Sequence, residues 1–374
     1  MPNLFDYLTW RGDLPLRQVP LCPVDSLVLS TLAYVHFRDL IPGDCGRSRS
    51  LGQAARAFLA LPERERDRPR TRCKEDLDLL EALLQAPRFA DLELTCYSDR
   101  FVPEKEMQFA AMAVLLGDGS AYLAFRGTDS TLVGWKEDFN MSFLDTVPAQ
   151  WAAVDYVKRF AAAFSGPLYL GGHSKGGNLA VFAASRCPPK VRDRIRSVYN
   201  LDGPGFTAAF LTSPGYQELL PRIQTFVPQS SIIGMLLEHE EPYTVIQSRQ
   251  IGILQHDPYS WSVLGGDFIR LEEVTSGSRL ADRMTKNWVA DLTPEQRGAF
   301  IDAVYDLLSA GDVSLARDLI HPQNLAASLR ALKDTDEETR RLLGGILLRL
   351  ARSTADTLRE EGVPEPPSLF KKYK

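Results

Sequence analysis

The stretch Gly166–Arg186, GPLYLGGHSKGGNLAVFAASR, decides the fold. An apolar strand-like run ends in glycines, and a helix of small residues follows. Two kinds of site sit at such a strand-to-helix turn: a loop that cradles phosphate and a turn that presents a nucleophile. The phosphate loop needs G-x-x-x-x-G-K-[ST], with the Lys and hydroxyl after the second Gly. Here Ser174 precedes Lys175, both precede Gly176, and no Walker-type Asp is evident. Gly172-His173-Ser174-Lys175-Gly176 instead fits G-x-S-x-G, the nucleophile elbow. That turn is so tight that the residues two before and two after the nucleophile must be small. Gly172 and Gly176 meet the need, while Gly171, Gly177 and Ala180 add clearance. Ser174 is the candidate nucleophile.

A serine needs a base to become reactive. The chain has five histidines. His173 adjoins Ser174 and on an elbow points away from the hydroxyl. His36, in an apolar helix, and His321, among C-terminal helices, read as structural residues. His239 in LLEHEEP and His256 in ILQHDPYSW remain. Hydrolases with this elbow run nucleophile first and His last, and His256 follows the last strand in a polar loop. It is the favoured base, with His239 the alternative. An oxyanion hole takes the N–H after the nucleophile, that of Lys175, and a second from a loop after an earlier strand. Gly127-Thr128 in YLAFRGTDSTLVGWKEDF offers that loop.

Outward from the elbow, the chain alternates strand and helix. FAAMAVLLGDGSAYLAF is a hairpin around Gly117-Asp118-Gly119. Pro148–Phe164 is a helix, PLYLGGH a strand and NLAVFAASR a helix. RSVYNLDG, RIQTFVP and PYTVIQS are further strands. This order predicts an α/β core over 91–268, a mostly parallel sheet with helices on both faces. Residues 1–90 read as a helical N-terminal segment packed on the core. Asp25 caps a helix bearing Leu27, Leu29 and Leu32, and Lys74–Pro87 forms another that Pro87 ends. After Asp267 the strand pattern stops, and 269–374 read as a helical C-terminal region. Thr293 and Gln296 there form a capping box, Pro294 takes the first helical position, and Gly311 closes the helix.

Composition narrows the function. A net charge of −5 gives no basic surface for nucleic acid. The one dense charge run, Pro62–Asp76, reads as a solvated loop or helix start. The charged N-terminus, MPNLFDYLTWRGDLPL, is not a signal peptide, and no apolar run is long enough for an integral membrane segment. Cys22, Cys45, Cys73, Cys96 and Cys187 lack C-x-x-C spacing. That argues against a zinc site and a disulfide framework, and fits a reducing cytoplasm. Neither a metal nor another cofactor is expected. Composition says nothing about oligomeric state.

AFRGT followed by Trp135 and Asp138 resembles the oxyanion loop of class 3 lipases, GHSKGG their elbow, and QHDPYSW the segment of their catalytic His. The similarity spans about 109–261. Together with YLTWRGDLPL, DGPGF and IIGMLLEH, these motifs resemble a family of bacterial lipase-like hydrolases of largely unknown function, over most of the chain. The resemblance implies an α/β-hydrolase fold and Thr128 as the second oxyanion donor. It also implies carboxylic ester hydrolysis on a small-molecule or lipid substrate, with thioesters and amides open to the same machinery. The class 3 position for the triad acid falls in FVPQSSIIGML, which holds no carboxylate. Asp202, in the strand-end LDGPG, is the favoured acid, as in some lipases of other families; Glu238 and Glu240 are the alternatives. SSIIGMLLEH reads as an acyl-pocket wall or lid, or else as an ordinary buried helix. The alternative is a catalytically silent hydrolase-fold module that binds a partner through its C-terminal helices; the missing acid at the class 3 position supports it.

Overall fold

The computed structural model describes residues 1–66, 75–129, 131–141, 144–231, 233–250 and 252–275, together with Thr293 and Gln296. Eleven strands occur among them. They are β1 (Ser48–Ser50), β2 (Glu93–Val102), β3 (Met107–Leu115), β4 (Ala121–Phe125), β5 (Leu168–His173) and β6 (Ile195–Leu201). β7 (Ile223–Pro228), β8 (Tyr243–Ile246), β9 (Val263–Leu264), β10 (Asp267–Phe268) and β11 (Arg270–Leu271) complete the set.

β3, β4 and β5 are apolar almost throughout because helices cover the sheet on both sides. Nine strands form one mixed sheet, ordered β1-β2-β3-β4-β5-β6-β7-β8-β11. β1 to β4 pair antiparallel, β4 to β8 parallel, and β11 antiparallel on β8. The period-two alternation of β3 divides its side chains between two cores. Met112 and Val114 join Leu27, Leu29, Phe58, Leu80 and Trp261 on one face. Phe109, Ala111 and Ala113 meet the Pro148–Ala163 and Lys175–Arg186 helices, through Val157, Phe160 and Phe182, on the other.

The N-terminal helices pack on the first face, with local differences from the sequence reading. Asp25 does not cap its helix. Pro23–Leu32 starts two residues earlier, and Asp25 sits in the first turn, accepting from the Cys22 N–H at 2.9 Å. Its carboxylate is fully buried against Arg88, at 2.7 Å from Nε and 2.5 Å from Nη2. Pro87 likewise opens the short helix Pro87–Ala90 rather than merely ending Glu75–Leu84. The segment is not all helical either, since β1 extends the sheet edge beside β2.

Three further expectations change. Cys45 and Cys96 form a disulfide, at a bulge of β2 where Cys96 has φ 56°. This overturns the expectation that the cysteines form no disulfide. The sheet passes the expected boundary at 268, because β11 adds to its edge. SSIIGMLLEH is a run of turns rather than a helix in its described residues. The capping box does form: Thr293 N–H reaches Gln296 Oε1, and Gln296 N–H reaches Thr293 Oγ1, each at 3.2 Å. The other C-terminal features, including Gly311 and His321, lie outside the described residues, as does most of the Pro62–Asp76 run. Among the described residues, no helix is long and apolar enough to cross a membrane.

Candidate active site

Ser174 lies between the last residue of β5 and the first of the Lys175–Arg186 helix. Its backbone is held at φ 60° and ψ −133°, a sparsely populated conformation for a residue with a Cβ. The strain persists because the surroundings admit nothing larger. A Cβ on Gly172 would strike the main chain of Gly176, and one on Gly176 would strike the carbonyl of Phe125 in β4. Both positions therefore leave no room for a side chain. The Ser174 N–H bonds the Leu201 carbonyl at 2.9 Å, tying the turn to the end of β6.

Asp202 comes next on β6 and is fully buried with φ 54°. Its N–H reaches Phe226 O in β7 at 2.8 Å. Its Oδ2 lies 2.6 Å from His256 Nδ1. A carboxylate only accepts, so Nδ1 carries a proton, and in the neutral ring Nε2 holds the lone pair. Neither alternative acid takes this place. Glu240 is exposed and accepts from Gln217 Nε2 at 2.6 Å, and exposed Glu238 pairs its main chain with Phe206. The other candidate base, His239, faces Glu241 Oε1 at 3.0 Å and Gly234 O at 2.7 Å instead.

His173, next to Ser174, is held by partners elsewhere. Its Nε2 donates to the His256 carbonyl at 2.7 Å, so Nδ1 accepts from the Tyr34 hydroxyl at 2.9 Å. The two imidazoles lie 4.5 Å apart, centre to centre. Trp261 Nε1 and the Ser230 N–H brace neighbouring Gln255, at its carbonyl and side chain respectively, both at 2.8 Å. Asp257 turns back on its own loop and accepts from the Tyr259 N–H.

On the other flank, β4 runs parallel to β5, and Phe125 pairs with Gly172. Thr128, just beyond β4, donates its hydroxyl to Asp138. Desolvation of the buried Oδ1 pushes the Asp138 carboxyl up to about 6 although the side chain is 36% exposed, against the pull of the Lys175 ammonium and the Thr128 hydroxyl. Arg126 of the same loop is structural: it is buried, 3.0 Å from Asp99 and 3.0 Å from His36 Nδ1.

The Lys175 side chain is buried within the protein. Nζ donates to Gln108 O at 3.1 Å, Gln108 Oε1 at 2.9 Å and Glu137 Oε2 at 2.9 Å. Burial works against this charge, but Glu137 and Asp138 hold the ammonium above its ordinary range. Glu137 also accepts from the Gln108 and Ala149 N–H groups. What Lys175 has left for chemistry is its main-chain N–H, which as the first of its helix has no partner in a preceding turn. Among the described residues, no cluster of three His, Cys, Asp or Glu could hold a metal ion.

The sequence marks Ser174, His256, Asp202 and Thr128 as candidates, and all four lie in loops at one edge of the sheet, beyond β5, β8, β6 and β4. It does not mark the His173–Tyr34 brace or the buried role of the Lys175 ammonium. Tyr34 is 139 positions from His173, too far for any local pattern to register.

A family model described as Mbeg1-like matches residues 83–306, more than half of the 374-residue chain. Two solved structures of a lipase–propeptide complex from Rhizomucor miehei are similar, the native form and a deletion mutant. Each is 15% identical with a TM-score of 0.36; they cover 50% and 51% of this chain, and 72% and 71% of their own. No curated protein matches. With one family model spanning most of its sheet and every candidate residue above, the chain belongs to the lipase-related Mbeg1-like family.

Proposed function

We propose that this chain is a serine hydrolase of the α/β-hydrolase fold that cleaves a carboxylic ester through Ser174, His256 and Asp202. One observation carries the reading. His256 Nδ1 sits on the buried Asp202 carboxylate at 2.6 Å, while Ser174 occupies a strained turn one strand away. Few structural needs call for both in one place.

In this mechanism His256 Nε2 takes the proton of Ser174 as Oγ attacks the ester carbonyl. Asp202 holds the ring in the Nδ1–H tautomer and stabilises the imidazolium that forms. The N–H groups of Thr128 and Lys175 hold the oxyanion. Asp138 keeps the Thr128 side chain, and with it the loop, in one orientation. His256 then protonates the leaving alcohol, and water releases the acyl group from Ser174. The chemistry draws only on protein groups. An ester of a lipid or small molecule is the substrate class proposed, following the lipase-related family.

A serine-reactive phosphonate should label Ser174, and chromogenic esters of short to long acyl chains should be hydrolysed. Ser174→Ala should abolish both and keep the wild-type Tm. The loss in kcat should be on the order of 10⁶, by analogy with other triads. A folded wild-type protein that neither labels nor hydrolyses would leave the binding-module reading in its place.

A further inference from the structure

Asp202 has two oxygens, and the chemistry proposed above uses one. The other, Oδ1, accepts from the hydroxyl of Ser231 at 2.5 Å. Ser231 is 2% exposed and lies in the turns after β7. The Gly234 N–H donates to its Oγ at 3.0 Å. That oxygen is therefore an acceptor towards Gly234, and its proton is directed at the carboxylate. Gly234 is pressed against the same group: a Cβ there would meet Asp202 Oδ1, Val227 and Ser231 Oγ.

The turn that carries Ser231 is itself anchored. The Gly234 carbonyl accepts from His239 Nε2 at 2.7 Å, and His239 Nδ1 faces Glu241 Oε1 at 3.0 Å. Both partners are acceptors, so the ring is held between them at its two nitrogens. Glu241, 2% exposed, also accepts from Thr225 Oγ1 at 2.6 Å and from the Tyr216 hydroxyl. An unbroken chain of bonded groups thus runs from Glu241 through His239, Gly234, Ser231 and Asp202 to His256.

We propose that Ser231 is a positioning residue that fixes the Asp202 carboxylate for His256, and that the His239–Glu241 pair holds Ser231 in register. The inference rests on the reading of Asp202 as the acid of a hydrolase. A carboxylate held at one oxygen can rotate about its Cβ–Cγ bond. Fixed at both, it presents Oδ2 to the imidazole in a single orientation, the kind of support a reacting group needs.

The test compares the wild type with Ser231→Ala, His239→Ala and, as a control in the same turn, Ser230→Ala. The Ser230 hydroxyl meets Thr275 rather than Asp202. The first readout needs no activity: the downfield proton resonance of His256 Nδ1–H, in protein labelled with ¹⁵N-histidine. Ser231→Ala and His239→Ala should move or broaden it, and Ser230→Ala should leave it in place. The second readout is ester hydrolysis, where Ser231→Ala should lower kcat roughly tenfold with KM within about twofold. A Ser231→Ala protein with the wild-type resonance and kcat overturns the proposal, even if its Tm falls, because Ser231 is then only structural. If the wild type neither hydrolyses esters nor labels at Ser174, the hydrolase reading fails, and the resonance alone still decides whether Ser231 positions Asp202.

Discussion

Replacing Lys175 with methionine keeps the length and apolar stem of the side chain and removes its charge. The ammonium makes three hydrogen bonds in the native protein, to Gln108 O, Gln108 Oε1 and Glu137 Oε2. Both partners of the ion pair are 1% exposed, so water cannot replace the missing cation without opening the core. Breaking a buried pair by removing one member typically costs about 3–5 kcal/mol. Here the lower end applies to Glu137, which keeps the Gln108 and Ala149 N–H donors after the change. The orphaned Gln108 side-chain oxygen adds about 1 kcal/mol. The expected loss is therefore about 4 kcal/mol, which in a protein of this size lowers Tm by roughly 5–7 °C. Urea unfolding should show a lower midpoint at an unchanged m-value. Lys175→Met combined with Glu137→Gln should recover a large part of the loss, since the uncompensated charge is then gone. A single mutant that loses under about 1 kcal/mol, or a double mutant no better than the single, would refute the electrostatic account of this pair.

Asp202→Asn should lower kcat by about 10⁴ while sparing Tm, because an amide can leave His256 in the wrong tautomer; Glu240→Gln should be nearly silent, and the reverse pattern would reassign the acid. Gly176→Val should prevent folding of the elbow, since its Cβ falls on the Phe125 carbonyl; a soluble variant with wild-type Tm would contradict the turn geometry. Stability should also depend on pH. Burial acts to raise the Glu241 carboxyl, but bonds from His239, Thr225 and Tyr216 hold it down at about 2, against 4.5 when unperturbed. A depressed carboxyl contributes stability that is present above its unfolded pKa and is lost as pH falls through its folded one. The Glu241 cluster should therefore contribute roughly 3 kcal/mol above about pH 4.5, lost towards about pH 2. Urea midpoints should fall less steeply across that window in Glu241→Gln than in the wild type; parallel curves would argue against a charged Glu241.

The parts of the site that a reader of the sequence can find are those set by local rules. An elbow needs small residues at fixed offsets from its serine, so Gly172 and Gly176 declare it. The strand-helix alternation around it fixes a layered α/β architecture, and a polar loop after the last long strand exposes His256. Asp202 is legible because it ends the strand beside the elbow. Interactions set by distant pairing are not legible. Cys45 and Cys96 are 51 positions apart and meet only because a bulge in β2 turns one towards the other. β1 and β11 have three and two residues, too short for any periodicity, and exist because an exposed sheet edge accepts them. Nothing local to the elbow motif shows that the Lys175 ammonium is buried on Glu137 and Gln108. Ser231 is an ordinary serine until Asp202 is found beside it.

The first helix, Leu4–Arg11, has a bearing on how the protein is made. Asn3 Nδ2 bonds the Tyr259 carbonyl across 256 positions, Phe5 stacks on the Tyr259 ring, and the Pro2 carbonyl accepts from the Val263 N–H. These contacts adjoin the loop that carries His256. At about 5–20 residues per second on the ribosome, roughly 13–50 s separate the emergence of the two partners. Through that interval Leu4, Tyr7 and Leu8 have no finished surface to cover, and chaperones have a defined window in which to hold them.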